Sequence, residues 1–533
     1  MRRPHRRHWL VGGAALLAAG GLGRAVAAPA NLYRRGNDAD PETLDPHKSS
    51  TVAEAHILRD LYEGLLTYDN YGAIIPGAAT AWTVSEDRLT YDFTLRADGR
   101  WSNGDPVLAG DFVFALRRIL APATAAKYAE ILFPLKNARA VNQGGLPPEA
   151  LGVVAPDERR LVLTLEQPTP YLLELLTHQT SLPVHPPSLA RHGDAFARAG
   201  NSVTNGPYRL REMVPNDRIT LERNPHFHAA ATVAIPQVAF LPTPDLSSAV
   251  RRYAAGEIDS LADLPGDQIA SLKARFGSEV VLGPSLGLYA LAVNTRKAPF
   301  DDVRVRRALS LVIDREFLAS QLWGGTMDPA YSLCPPGLDH YRRPPETEGR
   351  EALPIDREDE ARALLAAAGF GEGRPLRLEY RFNTSDNNRN TALAIADMWR
   401  GIGIETRFVY TDAKTHFAYL RDGGAFDVAR MSWIADYSDP QNFLFLLETG
   451  NDGLNPGRYS NPAYDALMRR AAAERDITRR ADLLSAAETI VVTELPWIPV
   501  MHTRSKALIA PRLAGYHPNL RNAAPTRFLR LTV

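Results

Sequence analysis

Between residues 358 and 409 the chain repeats one pattern twice: an apolar helical face, a glycine stop, then a short alternating run. Glu358 to Ala368 has the helical spacing and Gly369 closes it, after which Leu376 to Phe382 reads as a strand. Thr391 to Arg400 predicts a second helix stopped at Gly401, and Glu405 to Val409 a second strand. Such alternation is the pattern of an α/β domain on a largely parallel sheet. Val303 to Leu322 predicts a further helix upstream; Asp427 to Met431 predicts a strand and Asn461 to Val492 mostly helix downstream. Earlier in the chain, Leu89, Tyr91, Phe93 and Leu95 alternate with Thr90, Asp92, Thr94 and Arg96, a strand with one buried face. Leu161, Leu163 and Leu165 repeat that alternation, and Tyr208 to Glu222 reads as two strands around Pro215-Asn216-Asp217. Between the first two strands, Asp111 to Leu120 carries a helical face. Pro183 to Pro187 and Pro335 to Pro345 read as loops or crossings between domains.

The 533 residues are 45% hydrophobic and 23% charged, which excludes a collagenous, disordered or coiled-coil chain. Such a length suggests about two to four domains. A single cysteine, Cys334, excludes an internal disulfide framework and a cysteine-cluster metal site. The formal charge is zero, but residues 1–27 hold five arginines and no acid, so the remainder has 56 basic against 61 acidic residues, or −5. That balance gives no general attraction to nucleic acid or anionic membranes. The same 27 residues read as a secretory signal: a basic start, an apolar stretch from Trp9 to Leu22, and Ala25-Val26-Ala27 before the expected cleavage. Arg6-Arg7-His8-Trp9-Leu10 also looks like a twin-arginine signal, and the choice of export route stays open. No cysteine lies near the cleavage site to take a lipid, so the mature protein is expected to be exported and soluble.

Gly283-Pro284-Ser285-Leu286-Gly287 matches the G-x-S-x-G pattern of serine hydrolases. That chemistry needs a strand before the serine and a helix after it, whereas Leu288 to Val293 reads as another strand, so a loop between strands is the better reading of Ser285. His226 and His228 have the spacing of one strand face, but no third ligand accompanies them and Pro225 suggests a turn. No zincin, P-loop or dinucleotide-binding motif is present.

Five segments in order carry a family resemblance. They are Glu42 to His47 with Arg59-Asp60-Leu61-Tyr62-Glu63-Gly64-Leu65; Ala81-Trp82 with Trp101 to Val107; Thr204 to Tyr208 with Leu221 to Pro225; Asn294 with Pro299 to Arg306; and Phe426 to Arg430 with Trp433 to Pro440. Together they resemble the bacterial extracellular solute-binding proteins of the peptide/nickel family (family 5), in particular the periplasmic oligopeptide-binding proteins of ABC importers. The resemblance implies an α/β, two-lobed periplasmic binding fold, type II-like and of cluster C, with an additional small subdomain and a hinge. Lobe I would combine residues 28–62, 187–288 and 504–533; the subdomain would span 63–186 and lobe II 289–503.

The resemblance also implies a site. A buried peptide ammonium needs a carboxylate partner, and Asp436 stands where the family keeps that acid; capping a turn before Pro440 is its alternative role. Trp433 either stacks on ligand side chains or fills the core. Arg430 and Arg421 match positions that meet the carboxylate of short peptides, Arg421 having a solvated surface role as its alternative, and Lys297 matches one that meets longer peptides. Ser50 and Val52 align with the ligand-contact segment near the N-terminus. Two residues depart from the family pattern: Ser50 replaces an acid, and Asn388 stands where histidine is common. Leu108 also replaces a usual capping threonine, which touches stability alone. The expected function is oligopeptide capture and delivery to an inner-membrane ABC permease, by a monomer, with no cofactor, metal or catalytic step. Dipeptides, murein peptides, haem or a nickel complex are the alternative ligands within the family, and a hydrolase using Ser285 is the alternative outside it.

Overall fold

The computed structural model describes residues 31–451 and 453–532. The expected signal segment and its cleavage after Ala27 lie outside them. An eleven-stranded sheet runs through the molecule. At one end the parallel strands Ile404–Thr411 and Leu376–Asn383 lie in register, with the helix Asp386–Gly401 crossing between them. Leu376–Asn383 pairs in parallel with Val428–Ile434, which in turn pairs antiparallel with a fourteen-residue strand, Val280–Val293. Next comes Trp497–Ile509, followed by Ser260–Leu261, Leu32–Asn37, Gln237–Pro242, Arg218–Arg223 and Tyr208–Val214.

Two strands therefore belong to both lobes. Val280 to Pro284 pairs with Arg504 to Leu508 on the first-lobe side, and Leu288 to Ala292 with Trp497 to His502 on the second-lobe side. The register shifts between Pro284 and Leu288, where the lobes meet. Ser285, expected in a loop between two strands, lies in this irregular stretch of one continuous strand. Both glycines of its motif answer to packing: a Cβ at Gly283 would collide with Pro518, and one at Gly287 with Thr503.

A four-stranded antiparallel sheet, in the order Ala79–Val84, Thr90–Leu95, Arg160–Thr164 and Val153–Asp157, forms a smaller layer against the helix Ala109–Leu120. Phe93, Leu161, Leu163 and Phe112 are buried in a core continuous with Tyr33, Tyr208 and Phe240 of the first lobe. Leu108 gives this helix no side-chain cap, but Asp111 reaches back to accept the Leu108 N–H at 2.9 Å and the Trp101 indole N–H at 3.0 Å. Chain ends complete the first lobe: Thr526 donates its N–H and hydroxyl to buried Asp60 at 3.1 and 2.5 Å, and Arg527 bonds Glu63 at 2.8 Å.

The helix expected over Val303 to Leu322 is broken. It ends at Leu311, and Asp314 caps a new start through the Phe317 N–H before a wider turn over Leu318–Leu322. Buried Arg315 fixes the break by donating to the carbonyls of Ser310, Ile313, Ala330 and Pro499. The helix expected from Thr391 starts five residues earlier, because the Ser385 hydroxyl caps it through the Asn388 N–H.

Candidate functional site

The strand Val428–Ile434 points Ala429 and Met431 into the second-lobe core and carries Arg430 and Trp433 toward its free end. The strand stops when the Ala435 N–H turns to the Leu286 carbonyl at 2.8 Å, and Asp436 emerges beyond it, open to solvent. From residues 63–186, Tyr128 reaches across and donates its hydroxyl to Asp436 Oδ2 at 2.5 Å. Its ring stands edge-on to His178, at 5.5 Å between centroids. Solvent touches the Asp436 carboxylate, yet protein surrounds it closely enough that desolvation raises its pKa, opposed by the Tyr128 hydrogen bond and aided by Glu130. Among the described residues no cation pairs with it.

The residues after Asp436 tie the two sides together. Tyr437 stacks flat on Tyr171, at 4.3 Å and 9°. The Ser438 hydroxyl accepts the Asp339 N–H at 3.1 Å. Asp439 takes Arg480 on both oxygens, at 2.8 and 2.9 Å, and accepts the Gln441 N–H at 2.9 Å. The turn-capping role thus belongs to Asp439, and Asp436 is left exposed with the Tyr128 hydroxyl on its carboxylate.

Arg430 is a half-buried residue whose guanidinium meets no carboxylate among the described residues. Its Nη1 donates to Asn383 Oδ1 at 3.0 Å and its guanidinium lies over the rings of Tyr289 and Phe417, while Nε has no partner. Burial lowers its pKa. Asn388 converges on the same asparagine, donating its amide to the Asn383 carbonyl at 3.0 Å, and is itself buried. The Trp433 indole N–H is held by Asn442 at 2.9 Å and its ring packs edge-on to Phe445, so this half-buried residue belongs partly to the core. Ile434 beside it is 69% exposed, an apolar lip next to the acid.

Ser50 and Val52 are exposed at the start of the helix Val52–Leu61. The Glu54 carboxylate shapes that start by accepting the N–H groups of Glu42, Thr43, Ser50 and Thr51. Glu42 also pairs with Lys127 at 2.5 Å, which draws the Tyr128 segment alongside. Ser50, Val52, Tyr128 and Asp436 are thus linked by consecutive contacts.

Two expected residues stand elsewhere. Lys297 is not brought to the group: its Nζ holds Asp427, which precedes Val428, whereas Asp436 follows the strand's other end. Seven strand residues at roughly 3.3 Å each separate them. Arg421 ends the helix Ala413–Arg421, exposed, with the adjacent Asp422 carboxylate 3.7 Å away. Tyr128 is the residue the sequence did not reveal; it sits in an Ala-rich stretch without periodicity, and nothing local marks its hydroxyl for a partner 308 positions away.

Among the described residues no cluster of three His, Cys, Asp or Glu is arranged to hold a metal. His228 and His226 lie in a turn, where His228 bonds Glu63 at 3.0 Å. Ser285 lacks the strand-to-helix turn of a hydrolase nucleophile, and the imidazole of His502, near it, is buried and bonded to the Ser332 carbonyl at 3.1 Å.

Residues 73–455 match the family model of bacterial extracellular solute-binding proteins, family 5 (middle). The chain is 36% identical to the periplasmic oligopeptide-binding protein OppA of Escherichia coli K12, covering 94% of each. It is 35% identical to the periplasmic murein peptide-binding protein MppA of the same organism, over 93% of this chain and 92% of that one. A solved structure of MppA in its unliganded open form superposes with a TM-score of 0.85 at 34% identity, over 94% of this chain and 97% of that one.

Proposed function

Because the chain belongs to the bacterial extracellular solute-binding proteins of family 5, we propose that it captures peptides between its lobes in the periplasm and delivers them to an ABC-type importer. Its relatives named for oligopeptides and for murein peptides support the ligand class. The observation that carries the reading is Asp436, an exposed carboxylate that holds a hydroxyl and, among the described residues, no cation. A peptide ammonium supplies the missing charge, and a carboxylate partly desolvated by protein pairs with it more strongly than one in bulk water. Arg430, whose guanidinium meets no acid among the described residues, serves the negative end of a short peptide together with Asn383 and Asn388. Val52, Ile434 and the Trp433 ring offer apolar surface to side chains. Binding is non-covalent, and the lobes close about the two crossing strands when the ligand contacts both.

Native mass spectrometry of the mature protein beside an Asp436→Ala variant tests this. Co-purified peptides of about two to five residues, lost or at least tenfold weakened in the variant, are expected from the loss of a paired charge. Peptides retained equally by both proteins overturn the role of Asp436, and a protein that carries and takes up no peptide overturns the ligand class. Ester-cleavage assays of the wild type and of Ser285→Ala are expected to read no activity in either.

A further inference from the structure

We propose that a second ligand site, for a small anion bearing a phosphate or carboxylate group, lies where the crossing strands change register. A cavity of about 350 Å³ opens there, a size that suits a small organic molecule. Pro284 and Ser285 of one crossing strand and Thr503 of the other line it, with the loop from Asp328 to Arg350 on one side and Leu520 of the C-terminal segment on the other. Neither Asp436, Tyr128 nor Arg430 lines it.

Its charge is unbalanced. Of the two acids in the lining, Asp328 lies 3.8 Å from Arg504 and Glu346 pairs with Arg350. Arg342 and Arg343 are exposed and have neither an ion pair nor a hydrogen bond among the described residues. Two adjacent guanidinium groups without acids are a fitting receptor for phosphate or carboxylate oxygens. One hydroxyl accompanies them: Ser285 makes no side-chain hydrogen bond among the described residues.

The loop that presents the arginines is fixed. Buried Glu488 accepts the Cys334 N–H at 2.9 Å and the Tyr341 hydroxyl at 2.5 Å, so Arg342 follows directly on an anchored residue. Pro335, Pro336 and Pro344 further restrict the backbone that lines the cavity. The same arginines also wall an adjoining cavity of about 520 Å³, but its lining includes Asp482, which disfavours an anion there. Because the first cavity is walled by both crossing strands, a second-lobe loop and the C-terminal segment, an occupant senses how the lobes are set. Anion and cleft ligand are then coupled, each altering the other's affinity by the same factor.

Isothermal titration of the mature chain with inorganic phosphate and, separately, with citrate tests the site, ionic strength being matched with sodium chloride. Saturable one-site binding of at least one probe is expected, weakened tenfold or more in the Arg342→Ala/Arg343→Ala double variant and partly kept in the double lysine variant. Phosphate alone binding assigns a phosphoryl ligand, and citrate alone a carboxylate. The double variant is expected to melt with the wild type, since neither arginine has a partner to lose. Absence of saturable binding for both probes, or equal affinity in wild type and alanine variant, overturns the site. Neither readout depends on whether peptides bind the cleft.

Discussion

Asp436 sets a pH dependence that a surface aspartate would not. Its carboxyl titrates above the usual 3.8; on the proposed function a bound ammonium would pull it down, so binding would release a proton wherever the free carboxyl is partly protonated. Affinity is therefore full above the raised value and falls as pH passes down through it, tenfold per unit in the limit of one proton. Kd for a tripeptide, measured by calorimetry as pH is lowered from 8, is expected to rise as the carboxyl takes up its proton, at higher pH than an ordinary aspartate gives; a profile flat down to the acid limit of folding would remove the ammonium from Asp436. Tyr128→Phe deletes the hydrogen bond that lowers this pKa, so the same rise is expected at higher pH. Asp436 was singled out in the sequence because it sits in a run of motif residues from Phe426 to Pro440. Its hydroxyl partner was not, since a contact across 308 positions leaves no local pattern. The Lys297 pairing with Asp427 was not legible either: a motif gives a residue's order in the chain, while the strand Val428–Ile434 decides which end of the sheet it stands at.

Elements obeyed local rules except where a buried polar group overrode them. Gly369 ends its helix with a left-handed backbone, whereas Gly401 is still helical and the same role falls to Gly403, one residue past the cap Ile402. Helical periodicity continues through residues 303–322 across the break, because both pieces face the same core; Arg315, 1% exposed, makes the difference. Arg315→Met would strand four carbonyls in the interior, so a loss of about 3–5 kcal/mol is expected, read as a lower thermal midpoint. Glu488, fully buried on the helix Ile477–Glu494, is pushed up to about 7 chiefly by desolvation. The native state then keeps a proton that the unfolded chain gives up above its ordinary 4.5. Its contribution is present below that value and is lost as pH rises to about 7, on the order of 3 kcal/mol in all. Glu488→Gln removes this loss, so the stability advantage of wild type over variant is expected to shrink between pH 4.5 and pH 8. Melting curves across that range check it, and an unchanged difference would mean Glu488 is ionised throughout.

At the scale of the whole molecule, Arg521 joins three regions. It pairs with Glu174 at 2.8 Å and with Asp339 at 2.5 Å, bringing the C-terminal segment, residues 63–186 and the second lobe to one point. The Glu174 side chain is 4% exposed, so Arg521→Met is expected to cost about 3–5 kcal/mol by leaving a buried carboxylate alone. A Glu174→Gln/Arg521→Met double variant should recover most of that loss in the same melting experiment. The lobes' shared sheet was beyond sequence pattern, because the order of strands is fixed by pairings between residues hundreds of positions apart. Those distances bear on biosynthesis. Asp60 is made 466 residues before Thr526, and Glu63 464 residues before Arg527, the partners that hold their carboxylates. Until those two residues have been made, Asp60 lacks both Thr526 donors and Glu63 has His228 without Arg527.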